Sequence, residues 1–294
     1  MKEILFCGYS NKENLTMRKH LSSIILALIF LIGLSLLLYP TVSDYWNSLH
    51  QSRAIKGYQE EVESMDEEEI ARLWESAEAY NEKLAQKKQS FSLNTEEIED
   101  YNSQLSVTEK GIMASVEIPK INCKLPIYHG TEDEVLQVAV GHLPGSSLPV
   151  GGESSHCVLT GHRGLPSAQL FSKLDQLEEG DIFILETLGQ KLTYQVDQIS
   201  IVLPSEIDSL RIVEGEDLCT LVTCTPYGVN THRLLVRGHR ISNETAGQIN
   251  VTADAYQIPP IMIAPLFAAI LLGLLFIGLY FRSRKKKEVR EKND

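Results

Sequence analysis

Positive charge is scarce in this sequence: 27 Lys and Arg stand against 39 Asp and Glu, a formal net charge of -12 over 294 residues. A balance this acidic offers no footprint for a phosphate backbone, so nucleic acid is excluded as a partner. The surplus carboxylates are read as a device for solubility. Metal-ligand spacing is lacking too. No two of His129, His142, His156, His232 and His239 fall at a helical ligand spacing, and Cys224 has no nearby CxxC partner, so no metal or other cofactor is expected. Internal repeats and low-complexity tracts are also missing. The length suits one globular domain with appendages, or two small domains.

What is present is unevenly spread. The hydrophobic share of 43% looks ordinary, but two runs nearly free of charge account for much of it. The first, LSSIILALIFLIGLSLLLY over 21–39, approaches the roughly 20 residues a helix needs to cross a hydrocarbon core, and Pro40 is expected to end it. The second, over 258–281, stops at the basic run RSRKKK. Arg18 and Lys19 before the first run and Arg282, Arg284, Lys285, Lys286 and Lys287 after the second place both ends in the cytoplasm. A cleaved signal peptide competes for the first run, but its length and the lack of a small-x-small cleavage site favour an anchor. Met17-Arg18-Lys19 reads as a natural start for such an anchor, which makes 1–16 a mis-assigned extension. The expected organisation is therefore a cytoplasmic N-terminus over 1–20, a transmembrane anchor over 21–40 and an extracellular helical extension over 41–110. A catalytic β-domain over 111–245, a linker over 246–257, a second span over 258–281 and a basic cytoplasmic tail over 282–294 follow. The whole is a two-pass membrane protein with its working domain outside the cell.

Cys123, Cys157, Cys219 and Cys224 all fall in that outer region. An even number in an exported domain suggests disulfides, yet a domain of this size builds a core without them, so the count alone decides nothing. Over 52–88 the apolar residues Ile55, Tyr58, Val62, Met65, Ile70, Leu73, Trp74, Ala77, Tyr80 and Leu84 follow helical spacing, and Glu60 to Glu69 read as its solvated face. From 89 to 110 the pattern fades into a loop or cover segment. From Gly111 onward, short β-branched and aromatic runs alternate with Gly, Pro and Asn turns, which predicts a mainly β barrel or sandwich. Short helices are expected over 134–140 and 167–177.

Three strand ends carry reactive groups. The apolar run LCTLVTC ends at Cys224 and meets a Pro-Gly turn at once, a position where rigid backbone lies on one side and an open cleft on the other. Taken alone, a strand cysteine is more often an inert small hydrophobe. HCVLTGHRG delivers His162 into a glycine-flanked loop in the same way. Cysteine chemistry needs such a partner: a free thiol titrates near ~8.5, and an adjacent imidazolium favours the thiolate and later supplies a proton to a leaving amine. A third strand begins just after the turn that follows Cys224 and brings Arg233 beside the thiol, where a guanidinium can stabilise an oxyanion. A surface ion pair is the competing use of Arg233, and Arg237 and Arg240 share the hairpin. Cys157 precedes His162 by the same interval as Cys219 precedes Cys224. If the two strands run parallel in the register that aligns His162 with Cys224, Cys157 and Cys219 are lateral neighbours as well.

TLVTC-TPYG with Arg233 nine residues beyond Cys224, and LTGHRG upstream, resemble the sortases. GHRGLPSAQLF and CTPYGVNTHRLLVRGHR resemble class C, the pilus-assembling branch, over residues 112–241. The second span and the helical extension fit that branch. The resemblance implies a closed eight-stranded sortase β-barrel with an N-terminal helical extension, flanked by two transmembrane helices. It also implies cleavage of an LPXTG-like sorting signal between Thr and Gly. Cys224 would take the acyl group, His162 would protonate the departing amine, and Arg233 would orient substrate or stabilise the oxyanion. A pilin lysine would then resolve the thioester, so the expected partners are pilin subunits and the membrane. Three other readings compete: a wall-anchoring sortase using a peptidoglycan amine, a hydrolytic cysteine protease, and a non-enzymatic surface scaffold. One departure stands out. Class C relatives carry an Asp-Pro-aromatic motif in a lid, and no such tripeptide occurs between Lys83 and Val107; Phe91 is the nearest aromatic. A missing or loosely held lid is therefore expected.

Overall fold

The structure is a computed structural model that describes residues 3–87, 91–108 and 111–244, together with Gly273. The chain divides into two compact units, Ser43–Ala255 and a second made of Met1–Val42 with Tyr256–Asp294. The expected linker over 246–257, the second apolar run over 258–281 and the basic tail lie outside the described residues, apart from Gly273.

The first helix, α1, spans Glu3–Ser64. Pro40 does not end it, contrary to expectation, and lies inside the helix. Proline suits helical φ and forfeits one hydrogen bond, a cost of about 3 kcal/mol that helix formers on both sides can absorb. Among the described residues, Ala27–Ser64 is the one helix long and apolar enough to cross a membrane. Within the larger unit, the end of α1 packs on the β-domain. Ile55, Tyr58 and Val62 are buried, and the Tyr58 hydroxyl donates to Met113 O (2.9 Å) and accepts from Leu188 N (2.9 Å).

The single helix expected over 52–88 breaks in two. The second helix, α2 (Glu67–Gln86), starts afresh after Asp66, whose carboxylate accepts from Glu69 N at 2.7 Å. Glu67, Glu68 and Glu69 then form its first turn, where negative charge meets the positive end of the helix dipole. This part of the acidic run is a helix start rather than a mid-helix face. A third helix, α3 (Thr95–Ser103), replaces part of the expected loop. Asn94 and Glu97 build a reciprocal capping box, with bonds of 3.0 and 2.9 Å. Nine residues do not sustain a helix alone. Tyr101 supplies the anchor: it is buried, its hydroxyl lies 3.0 Å from His142 Nδ1, donates to His142 O, and accepts from Gly130 N at 3.0 Å.

The β-domain is a closed barrel in the order β1-β2-β3-β4-β7-β8-β6-β5. Its strands are β1 (Ile112–Ile118), β2 (Cys123–His129), β3 (Val140–His142), β4 (Ser155–Thr160), β5 (Ile182–Thr187), β6 (Gln190–Val202), β7 (Asp217–Thr225) and β8 (His232–Ile241). Closure removes free edges, and alternate residues fill the interior, among them Met113, Val116, Phe183, Tyr194, Leu185 and Leu221. The helix expected over 134–140 is the short α4 (Asp133–Leu136). The one expected over 167–177 is a loop with a single 3-10 turn at Leu174–Gln176. There Phe171 N donates across the loop to His162 O (3.2 Å) rather than along a helix, and Leu170 takes a positive φ of 37°.

Candidate active site

The site begins with two parallel strands. β4 and β7 pair from Ser155↔Asp217 to Thr160↔Val222. Beyond the last pair, Gly161 N donates to Val222 O (3.0 Å) and the Thr223 hydroxyl donates to Gly161 O (2.7 Å). The chains therefore stay side by side for one more step, and His162 and Cys224 leave their strands at the same offset from the Thr160↔Val222 pair. The register inferred from spacing is observed, and with it the direct pairing of Cys157 and Cys219. On the other side of β7, the antiparallel ladder with β8 sets Cys224 opposite Arg233, which also pairs with Val202 of β6.

Strand alternation decides which way these residues face. Cys157, Leu159, Cys219 and Leu221 belong to the barrel core. The intervening Val158 and Val222 join Leu210 and Leu235 in a separate apolar cluster. Cys224 follows Val222 by two residues and Arg233 precedes Leu235 by two, so both continue that outer face. Cys224, His162 and Arg233 are all half-buried. The result is an apolar floor with the Cys224 thiol and the Arg233 guanidinium at one end, and with His162 two residues beyond the end of β4.

Arg233 is distinguished from its rivals by its partners. Arg237 is held in a two-pronged pair with Asp197, at 3.0 Å on each side, and Arg240 lies over the Tyr194 ring. Among the described residues no carboxylate comes within ion-pair distance of Arg233; its Nη1 donates to the carbonyls of His232 (3.2 Å) and Asn230 (3.4 Å). The competing histidines are likewise engaged elsewhere. His156 is buried between Arg211 O (2.8 Å) and the Thr220 hydroxyl (2.7 Å), and burial lowers its pKa. His129 meets the carbonyls of Gln104 and Gly111, and burial lowers its pKa too. His142 is fully buried against Tyr101 and Ser147. Among the described residues no group of three or more His, Cys, Asp or Glu is arranged to hold a metal ion.

Several supporting residues escaped the sequence reading. Arg163, next to His162, buries its guanidinium between the two strand-end loops. It pairs with Asp175, donates to the Thr225 hydroxyl (3.3 Å) and lies 5.8 Å from the centre of the Tyr227 ring. This ties the loop after β4 to the turn after β7 on either side of the thiol. Glycine is required twice in that loop: a Cβ on Gly161 would sit 2.7 Å from Phe171, and Gly164 has φ +79° with Tyr227 at 2.9 Å from its would-be Cβ. The one available signal was the glycine spacing around His162 and Arg163.

The expectation of a missing or loosely held lid bears on the segment around Phe91. Phe91 is half-buried and packs, with Leu143 and Val202, against the outer cluster of Val158, Leu210, Val222 and Leu235. A segment of the helical extension therefore does lie on the face that bears Cys224.

The family model for the sortase domain matches residues 116–241. Sortase D of Bacillus subtilis (strain 168) is 31% identical over 166 residues, spanning 54% of this chain and 81% of that protein. The chain belongs to the sortase family. Among solved structures, the sortase resembles sortase C1 from Streptococcus agalactiae with 53% identity and a TM-score of 0.64, over 65% of this chain and 99% of that one. Sortase C of Streptococcus pneumoniae gives 46% identity and a TM-score of 0.58, over 65% and 97% of the respective chains. These likenesses group it with the class C, pilus-associated sortases, and the family's general reaction is cysteine-dependent transpeptidation.

Proposed function

We propose that this sortase cleaves an LPXTG-like sorting signal between Thr and Gly and transfers the Thr acyl group to a pilin lysine, polymerising pilus subunits at the outer face of the membrane. The observation that carries the reading is the register around Cys224: the neighbouring β4 leads into His162 at the same offset, and β8 pairs Arg233 with Cys224. In this mechanism the Cys224 thiolate attacks the Thr carbonyl carbon, and the electron pair moves onto oxygen. Arg233, which no carboxylate among the described residues neutralises, stabilises that oxyanion. As the C–N bond breaks, His162 delivers a proton to the departing glycine amine, leaving a thioester on Cys224. A lysine amine then attacks the thioester, His162 takes up its proton, and the thiolate leaves. An isopeptide bond forms and the enzyme is restored.

The apolar floor beside the three groups suits the Leu and Pro side chains of the signal, and Phe91 occupies part of that floor in the resting protein. Substrate entry on this reading requires Phe91 to move. The acceptor follows from the likeness to pilus sortases, among them sortase C1 of GBS Pilus Island 1 and the Streptococcus pneumoniae sortase C associated with pilin substrate specificity. Anchoring by two spans, with the barrel outside, belongs to the same proposal. Incubating the sortase with purified pilin tests the acceptor: a ladder of cross-linked pilin is expected, and removal of the acceptor lysine abolishes it. Continued laddering without that lysine would exclude this reading and favour a wall-anchoring or other amine acceptor.

A further inference from the structure

Cys157 and Cys219 take no part in the chemistry proposed for Cys224, yet the β4–β7 ladder pairs them directly. Both are free thiols, both face the barrel core, and they are 2% and 0% exposed. Neighbouring strands lie about 4.8 Å apart, and a disulfide accepts Cα separations of roughly 4.4–6.8 Å. The backbone therefore already holds the two residues at bonding range. In-register side chains on parallel strands project the same way, so their Cβ atoms stay wider apart than the ~3.8 Å of a relaxed disulfide. A bond formed here would carry strain, and strained disulfides are the readily reduced ones.

The surroundings differentiate the two sulfurs. Burial opposes ionisation of Cys157, but the neighbouring Cys219 thiol and His142 outweigh it and draw its pKa below the ordinary thiol value. Burial pushes the Cys219 thiol well above its ordinary value. His142 is itself fixed, by the Tyr101 hydroxyl at 3.0 Å and by Ser147 O at 2.8 Å. The two sulfurs are thus unequal, and Cys157 is the more readily ionised. Cys123 provides a contrast: burial raises its thiol to about 12, and it contacts Leu170 O rather than another sulfur.

The geometry points to Cys157 and Cys219 as a reversible disulfide site inside the barrel, oxidised by a peroxide small enough to enter where bulkier reagents are shut out. The Cys157 sulfur attacks one peroxide oxygen, the O–O bond breaks, and the other oxygen leaves as water after taking a proton; Cys157 becomes a sulfenic acid. The Cys219 sulfur then attacks that sulfur, the S–O bond breaks, and a second water leaves. Two thiols and one hydrogen peroxide give one disulfide and two waters, with the peroxide reduced by two electrons. A thiol reductant reverses the bond. Because β4 and β7 also deliver His162 and Cys224, the cross-link would fix the spacing of the two strands that carry the proposed reactive pair.

The test uses the full chain in detergent micelles, carrying Cys224→Ser to remove the exposed thiol's own peroxide chemistry. Folded protein is treated with hydrogen peroxide, quenched, unfolded in iodoacetamide and mapped by mass spectrometry without reductant. The expected result is a cross-linked peptide pair containing Cys157 and Cys219, about 2 Da lighter than the sum of the reduced peptides, with Cys123 fully alkylated and the cross-link lost on adding dithiothreitol. Further substitution of Cys219→Ser should stop the reaction at a Cys157 sulfenic acid trapped by dimedone. Full alkylation of both Cys157 and Cys219 after peroxide treatment would overturn the proposal, and so would a cross-link that involves Cys123 instead. Neither result depends on whether the sortase turns over its substrate.

Discussion

Cys219 and Cys224 lie on the same strand, an odd number of residues apart, and the strand turns that interval into two different environments. Cys219 faces inward, is fully buried and sits beside a second thiol. Cys224 faces outward, is half-buried at the strand end and sits between the strand that leads into His162 and the strand bearing Arg233. Residue type does not separate a core filler from the proposed nucleophile; parity along the strand and distance from its end do. The same contrast holds for the arginines of β8. Arg237 is paired with Asp197, whereas Arg233, opposite Cys224, has no carboxylate within ion-pair distance among the described residues.

Breaking this comparison starts at the thiols. Cys224→Ala should lower turnover of a sorting-signal peptide by about 10⁴-fold or more, while Cys219→Ser should leave turnover within a few-fold and act mainly on the unfolding midpoint. Comparable losses from both would erase the distinction. For the arginines, Arg233→Ala should cost on the order of 10²–10³-fold in kcat, the scale of losing one oxyanion donor. Arg237→Ala should cost about 1 kcal/mol of stability at a partly exposed ion pair and little kcat; steady-state kinetics with a denaturant titration reads both. A smaller effect concerns access. Phe91→Ala should raise the rate of Cys224 alkylation several-fold in the resting sortase, and an unchanged rate would show that Phe91 does not shield the thiol.

The smallest effect is one of pH on two buried histidines. Burial depresses the folded pKa of His129 and His156 below the ordinary 6.5. As pH falls through about 6.5, the unfolded chain binds protons that the folded chain refuses, so stability is full above that pH and declines below it. The unfolding midpoint should fall between pH 7 and pH 5, and His156→Gln should flatten part of that slope. A slope unaffected by the substitution would place the acid sensitivity elsewhere.

The outward site was the more legible part. Strand-end motifs reach the sequence directly, because a β-run followed by glycine or proline marks both the strand and its end, and equal intervals from Cys157 to His162 and from Cys219 to Cys224 encode a parallel register. Features held by tertiary contact were not legible. The helix Thr95–Ser103 has too few turns for apolar periodicity and depends on Tyr101 reaching His142. The break before Glu67 hides in an acidic run whose composition suits a helix face and a helix start equally. The bridge from Arg163 to Asp175 and Thr225 joins two parts of the β4–β5 loop to the end of β7, which no local pattern connects.

The central claim is that Cys224 is the acyl-accepting nucleophile. It is tested most directly by mixing the sortase with an LPXTG-containing peptide in the absence of an acceptor amine, quenching in acid and weighing the protein. The account predicts an increment equal to the peptide portion through Thr, mapped to Cys224 and absent from Cys224→Ala. An adduct on another residue, or peptide cleavage that persists in Cys224→Ala, would contradict it.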